Sequence, residues 1–292
     1  MNDQRRGILL ILLSYACLTG EAAAVHHIGH EATPLQFALM RSLGSLVLIV
    51  VLSRKVGFSV FRTGNLALQF VRGGLTVVSI WGIFYGFASL PLADATAVSY
   101  TRAIFLSILA AAVLGERLDK VRWLATAVGI VGCLIIIRPA FEAWRPEYLI
   151  VLTAAGLNAG AMVATKVLER QDTALTVMAY MTVISFVVCL PGFFLPWPGV
   201  SLWPWLLAIA VLGPAALYIG LLAIRSADVS VIAPFDYSRL VMAAGIGLAF
   251  FGESPVLADF VGAAIVTAVC VWVAASATRN TRVHRSVEQR KL

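Results

Sequence analysis

Apolar runs of about 20 residues, separated by short polar stretches, repeat along nearly the whole chain. They fall at roughly 7–25, 34–53, 68–88, 93–114, 121–138, 147–168, 173–195, 203–224, 229–251 and 257–276. A helix rises about 1.5 Å per residue, so each run is long enough to cross a hydrocarbon core of about 30 Å. The pattern predicts an all-α polytopic membrane protein with ten transmembrane helices. Two connections are hairpin-tight: Leu90-Pro91-Leu92-Ala93-Asp94 between runs three and four, and Arg225-Ser226-Ala227-Asp228 between runs eight and nine.

The basic positions orient these helices. Of the 22 Lys and Arg residues, sixteen lie on the termini and the alternate connections that share their side. Only Arg138 and Arg145 lie on the opposite connections, and four arginines lie within helices. Cytoplasmic segments carry the excess of Lys and Arg, so both termini are expected in the cytoplasm, which requires an even helix count. Arg5-Arg6, the apolar stretch after it and Ala22-Ala23-Ala24 imitate a cleavable signal peptide. Its removal would leave the first half one helix short of the second, so we read it as the first helix.

The halves are related. Tyr100-Thr101-Arg102, with Gly115-Glu116 following, recurs as Tyr237-Ser238-Arg239 with Gly252-Glu253 following. Ala93-Asp94 recurs as Ala227-Asp228, Gly20 as Gly160 and Thr33 as Thr173. We place the first five-helix repeat at 1–140, the second at 145–277 and a basic cytoplasmic tail at 278–292. Five helices per half is odd, so the second repeat enters the membrane inverted, an architecture of secondary transporters with a site near the midplane. The spacing of the matched motifs changes at Ala233-Pro234-Phe235, where Pro234 can kink helix nine.

Composition narrows the class. Hydrophobic residues make up 60% and charged residues 13% of the chain, with mean hydropathy +0.91; a soluble domain carries about 25% charged residues. The net charge of +7 sits almost entirely between apolar runs, so it faces lipid headgroups, and no nucleic-acid partner is expected. Cys17, Cys133, Cys189 and Cys270 all fall in apolar runs without paired spacing and read as buried thiols. His26, His27 and His30 have a spacing that could hold a metal weakly, but a solvated loop explains them better. Trp197, Trp203 and Trp205 fit an interfacial belt. No hydrolase, zincin, diphosphate or Walker signature is present. We therefore expect no catalytic residue, metal or cofactor.

Glu21, Arg41, Arg72, Arg102, Asp236 and Arg239 are charged positions inside apolar runs. Such residues are rare in membranes and have a partner or a task. Inversion should bring Arg102 and Arg239 together near the pseudo-two-fold axis, where guanidinium groups can grip a carboxylate through paired hydrogen bonds. Helix-to-helix ion pairing is the other reading, with Asp236 three residues from Arg239 and Glu21 beside Arg41, Arg72 or Arg102. A carboxyl in apolar surroundings can also exchange protons near neutrality, so Glu21 and Asp236 are coupling candidates or amino-group ligands. Trp81, Tyr85, Tyr100, Tyr218 and Tyr237 sit well inside their runs, where an interfacial belt explains them poorly. With Asn158 they read as the walls of a cavity for a planar, apolar substrate with a charged end. Gly82-xxx-Gly86 and Gly156-xxx-Gly160 read as close packing within the chain, while Ala125-xxx-Gly129 and Ala258-xxx-Gly262 leave monomer and homodimer open.

Two five-helix repeats, Ala93-Asp94, Arg102 and Gly115-Glu116 in one copy, and Ala227-Asp228, Arg239 and Gly252-Glu253 in the other resemble the drug/metabolite transporter superfamily, EamA type. The resemblance runs from about residue 7 to 276 and is nearest to bacterial aromatic amino-acid exporters of the YddG type. It implies a multi-pass inner-membrane exporter of amino acids and related metabolites, with a cavity formed by helices one to four and six to nine. Transport would be by facilitated movement or proton exchange. The alternative is proton-coupled efflux of organic cations such as methyl viologen, with Glu21 as the cation site.

Overall fold

A computed structural model describes residues 2–53, 61–114, 145–168, 170–226 and 238–253, with isolated helical positions between 128 and 135 and between 260 and 272. The described chain is helical, with no strand. In order it forms α1 (Asn2–Ile28), α2 (Pro34–Ser53), α3 (Leu66–Ser89), α4 (Leu92–Ser99) and α5 (Arg102–Leu114). Then follow α6 (Glu147–Leu168), α7 (Ala174–Cys189), α8 (Trp203–Ser226) and α9 (Ser238–Phe251). Six helices among the described residues are long and apolar enough to span a membrane. Large apolar side chains on their outer faces are bare, Val47 at 66% and Val211 at 63% exposure, as lipid contact requires. The fifth and tenth expected helices lie mostly outside the described residues. So do Gly115-Glu116, Ala227-Asp228, the Pro234 kink, Cys133, Cys270, the Ala125 and Ala258 spacings and the tail.

Polar residues set the helix starts. The Asn65 side chain accepts from the Leu68 amide at 3.0 Å to open α3, and the Thr173 hydroxyl accepts from the Thr176 amide at 3.2 Å to open α7. Thr33 and Gln36 cap α2 reciprocally, and Gln36 Nε2 reaches on to Pro196 O at 2.9 Å.

Helix boundaries repeat at the spacings of the motifs. α1 ends at Ile28 and α6 at Leu168, 140 positions on, while α5 ends at Leu114 and α9 at Phe251, 137 positions on. The largest interfaces are α1 on α8 and α3 on α6. Exchanging the halves converts one pair into the other, as a two-fold relation demands. Small residues permit the approach: a Cβ on Gly86 would lie 2.2 Å from Val151 Cγ2, and one on Gly82 would lie 2.8 Å from Ala154 Cβ. Gly44 of α2 meets α8 where Pro214 removes an amide and leaves Ala210 O without its helical donor. A Cβ at Gly44 would lie 1.7 Å from that oxygen.

The sequence reading put one continuous helix at 93–114; the structure breaks it. α4 stops at Ser99 and α5 starts at Arg102, with Tyr100-Thr101 as the turn between them. The Tyr100 and Thr101 amides bond three residues back, to Ala97 O at 3.1 Å and Val98 O at 3.0 Å. Hydroxyls back-bond across the break: Ser99 Oγ takes up Thr96 O, and Thr101 Oγ1 joins its own amide at Val98 O, each at 2.7 Å. Hydroxyl back-bonding of this kind is what lets a broken helix persist at membrane depth.

The principal apolar core lies at one end of the bundle, where α1, α3, α7 and α9 finish and α2, α4, α6 and α8 begin. We term this the far end. At the near end the described residues form two small apolar clusters, around Ile11 with Ala223 and Ile49 with Ala179. A polar junction adds to them: Asp172, between α6 and α7, accepts from Gly64 N at 2.8 Å, from Gln69 Nε2 at 2.9 Å and from the Thr63 hydroxyl. Burial alone would raise the Asp172 carboxyl, but these three donors outweigh it and hold it below the usual carboxylate range.

Candidate functional site

Helical spacing selects what each helix offers to the bundle centre. On α3, Arg72, Thr76, Ile80, Ile83, Phe84 and Phe87 recur every three or four residues and line a central cavity of about 280 Å³. α1 adds Glu21, α2 adds Arg41, α6 adds Asn158, α5 adds Arg102 and α9 adds Arg239, with Tyr100 at the helix break. A second cavity of about 560 Å³ shares Arg72, Arg102, Arg239, Met162 and Met181 and extends toward the near end past Ser14, Tyr15 and Met178. The structure thus places the repeat-related Arg102 and Arg239 on one cavity wall, together with Tyr100 and Asn158.

Glu21, Arg41 and Arg72 tie helices together. Arg41 NH1 bonds Glu21 Oε2 at 2.5 Å, joining α2 to α1. Glu21 is 2% exposed, and its other oxygen faces Gly213 of α8, where a Cβ would lie 2.3 Å away. Arg72 spans from α3 to two helices, through Nε to Thr165 Oγ1 at 2.6 Å and NH1 to Val177 O at 3.0 Å. Among the described residues the wall thus carries four guanidinium groups and the Glu21 carboxylate, which is bonded to Arg41.

Trp81 and Tyr85 do not line this cavity. They stand with Val78 and Gly82 on another face of α3 and line a lateral apolar groove of about 680 Å³ against α6. Position inside an apolar run could not tell these faces apart; the helical phase from Arg72 does. Tyr218 is half-buried on α8 and lines neither central cavity. Asp236 and Tyr237 lie outside the described residues.

The far end holds a junction that sequence reasoning missed. Gly252 ends α9 with φ +65, a conformation that favours glycine, and turns the chain back toward the helix. Glu253 N then bonds Gly247 O at 3.0 Å. The Glu253 carboxylate accepts from the Leu92 amide at the start of α4, 3.1 Å from each oxygen. A carboxylate there satisfies an orphan amide and the positive end of the helix dipole. His26 Nε2 lies 3.1 Å from Glu253 Oε1, and His26 Nδ1 lies 2.7 Å from Phe87 O. Each ring nitrogen of His26 therefore has an oxygen within hydrogen-bond reach, one from α9's end and one from α3. His27 tilts over Trp205 at 4.4 Å, His26 meets Phe251 edge-on at 4.5 Å and His30 lies against Tyr85 at 6.0 Å, so aromatic rings surround the three histidines. Nearby, Tyr148 OH donates to Asp94 Oδ2 at 2.6 Å, both buried, tying α6 to the start of α4. The duplicated Gly-Glu pair was the signal for this junction.

Comparison with known proteins gives a two-copy match. The model of the EamA-like transporter family matches residues 5–138 and again 145–275. An S-adenosylmethionine uptake transporter of Rickettsia bellii is 26% identical over 94% of this chain and 96% of its own. A pseudopaline exporter of Pseudomonas aeruginosa is 26% identical over 91% and 95%. A riboflavin transporter of Brucella anthropi is 28% identical over 78% and 84%. One crystal structure covers 94% of this chain and 98% of its own with a TM-score of 0.64 at 19% identity, a likeness of fold.

Proposed function

Because the chain belongs to the EamA-like transporter family, we propose that it exports small carboxylate-bearing metabolites of the amino-acid class across the bacterial inner membrane by alternating access. Transport of small molecules across a membrane is what the family and its relatives do. The proposal adds ten helices in two inverted repeats, cytoplasmic termini and the outward direction. With that orientation the near end faces the cytoplasm. The apolar core at the far end and the cavity that extends toward the near end support the reading of a carrier open to cytoplasmic substrate.

The carrying observation is that Arg102 and Arg239, one from each repeat, line the same central cavity. A carboxylate seated between them is gripped by both halves, so its release can follow their relative rocking. Tyr100 and the Met162–Met181 wall offer apolar contact to the rest of the substrate. Asp236 adjoins Arg239 in sequence and remains a coupling candidate. Efflux of organic cations is less well supported, because Glu21, the carboxylate that would receive the cation, is engaged by Arg41.

The test is counterflow in liposomes loaded with unlabelled amino acids, followed by entry of trace label. The expected result is a transient, saturable overshoot that disappears in Arg102→Ala while folded protein stays in the membrane. Full transport by that variant, or accumulation of labelled methyl viologen with no overshoot for any amino or organic acid, refutes the proposal.

A further inference from the structure

Thioethers, more than aromatic rings, meet the cavity where it extends toward the near end. Among the described lining residues of that extension Tyr15 is the one aromatic ring, while Met162, Met178 and Met181 stand together. They are three of the chain's six methionines, brought from two helices to one void. Met178 and Met181 are three apart on α7 and share a face. Met162 of α6 lines both cavities and is 40% exposed, so the void reaches its side chain. Met181 Sδ lies 3.8 Å from Arg72 NH2, and both residues border the central cavity and its extension. The aromatic wall expected from sequence is in large part elsewhere: Trp81 and Tyr85 line the lateral groove, and Tyr218 lines neither cavity.

The difference has a chemical consequence. An aromatic ring presents a fixed flat face and favours planar partners. A methionine side chain is unbranched, polarisable and turns about three bonds, so it re-shapes around the apolar group it meets. The extension, of about 560 Å³, falls within the usual range of small-molecule sites. We propose that Met162, Met178 and Met181 form the specificity-determining wall of the carrier. It admits large apolar amino-acid side chains, whether planar, branched or linear, and discriminates by apolar area rather than by shape. This rests on the carrier reading above and deepens it.

The test is competition in counterflow with the intact protein, using trace labelled phenylalanine and, separately, trace labelled leucine. Unlabelled phenylalanine, leucine, methionine and alanine are the competitors; their charged ends are identical. The three large side chains should compete within about tenfold of one another, since a sulfur–aromatic contact by itself favours phenylalanine by no more than about that factor. Alanine should trail all three by about tenfold or more, because it buries far less apolar area. Met162→Ile with Met178→Ile replaces mobile side chains by ones with a single favoured χ1 in a helix, and leaves Met181 with Arg72. This variant should spread the three large competitors beyond about tenfold while alanine stays where it was, a pattern that general loss of folded protein does not produce. Leucine at the same two positions conserves volume without branching at Cβ and should keep the parent's order and spread. A parent spread beyond about tenfold among the large three, alanine competing as well as leucine, or a series unchanged by the paired isoleucines overturns this inference and leaves the carrier reading intact. No counterflow of any amino or organic acid overturns the carrier reading itself.

Discussion

Replacing Glu21 by Gln keeps the side chain's shape and removes its charge, leaving the Arg41 guanidinium beside a neutral amide. The pair is close, 2.5 Å between Arg41 NH1 and Glu21 Oε2, and both side chains are largely shielded, at 15% and 3% exposure. Two unit charges 4 Å apart attract by about 4 kcal/mol at an effective dielectric near 20. Removing one member of a buried pair costs about 3–5 kcal/mol, because the other is left uncompensated. At roughly 2–4 °C per kcal/mol for a chain of this order of size, Glu21→Gln should lower the unfolding midpoint by roughly 6–20 °C. Replacing both partners, Glu21→Gln with Arg41→Met, removes the stranded charge and should recover most of the loss. Thermal unfolding in detergent, read by tryptophan fluorescence, measures all three proteins. A Glu21→Gln midpoint within about 1 °C of the parent, or a double variant less stable than Glu21→Gln alone, refutes the reasoning. The double variant also separates the two sequence readings of Glu21. If the pair is structural, the double variant still gives counterflow and still responds to a proton gradient. If Glu21 carries the coupled proton, the double variant folds and exchanges substrate but ignores the gradient.

Three further outcomes are expected. Gly44→Ala should greatly reduce the folded, monodisperse yield, because its Cβ would lie 1.7 Å from the Ala210 carbonyl oxygen and backbone cannot step aside; Gly74→Ala, with nothing within 4 Å, is the control and should be neutral or slightly stabilising. Tyr148→Phe removes the phenol's donation to buried Asp94 and should cost about 1–3 kcal/mol, read as a lowered denaturation midpoint. Asp172 is held below its ordinary value of 3.8, so its stabilising contribution is fully present above that pH and fades as pH falls through the lowered value. Asp172→Asn should therefore cost stability at neutral pH and flatten the acid limb of the parent's stability profile, measured by unfolding at stepped pH.

Covalent order alone carried much of this protein. Runs of about 20 apolar residues can satisfy their backbone in lipid only as helices, and Lys and Arg placement biases their direction, so class and expected topology are local properties of the chain. The repeat was legible because inversion preserves residue identity: Arg102 with Arg239 and Gly252-Glu253 with Gly115-Glu116 needed no coordinates. Packing decided what identity leaves open. Trp81 and Arg72 lie on the same apolar helix, and only the rotation of α3 against α6 and α7 sends one to a lateral groove and the other to the cavity. Glu21 had three arginines within plausible reach, and the approach of α2 to α1 selected Arg41. The break at Tyr100-Thr101 has no proline or glycine to announce it; the Ser99 and Thr101 hydroxyls, back-bonded to Thr96 O and Val98 O, sustain it. His26 and Glu253 are 227 positions apart, and their junction exists because α1, α4 and α9 converge at one end of the bundle. Periodicity and composition are short-range signals, whereas pairing across helices is set by which faces can approach, and that is determined only when the whole bundle is packed.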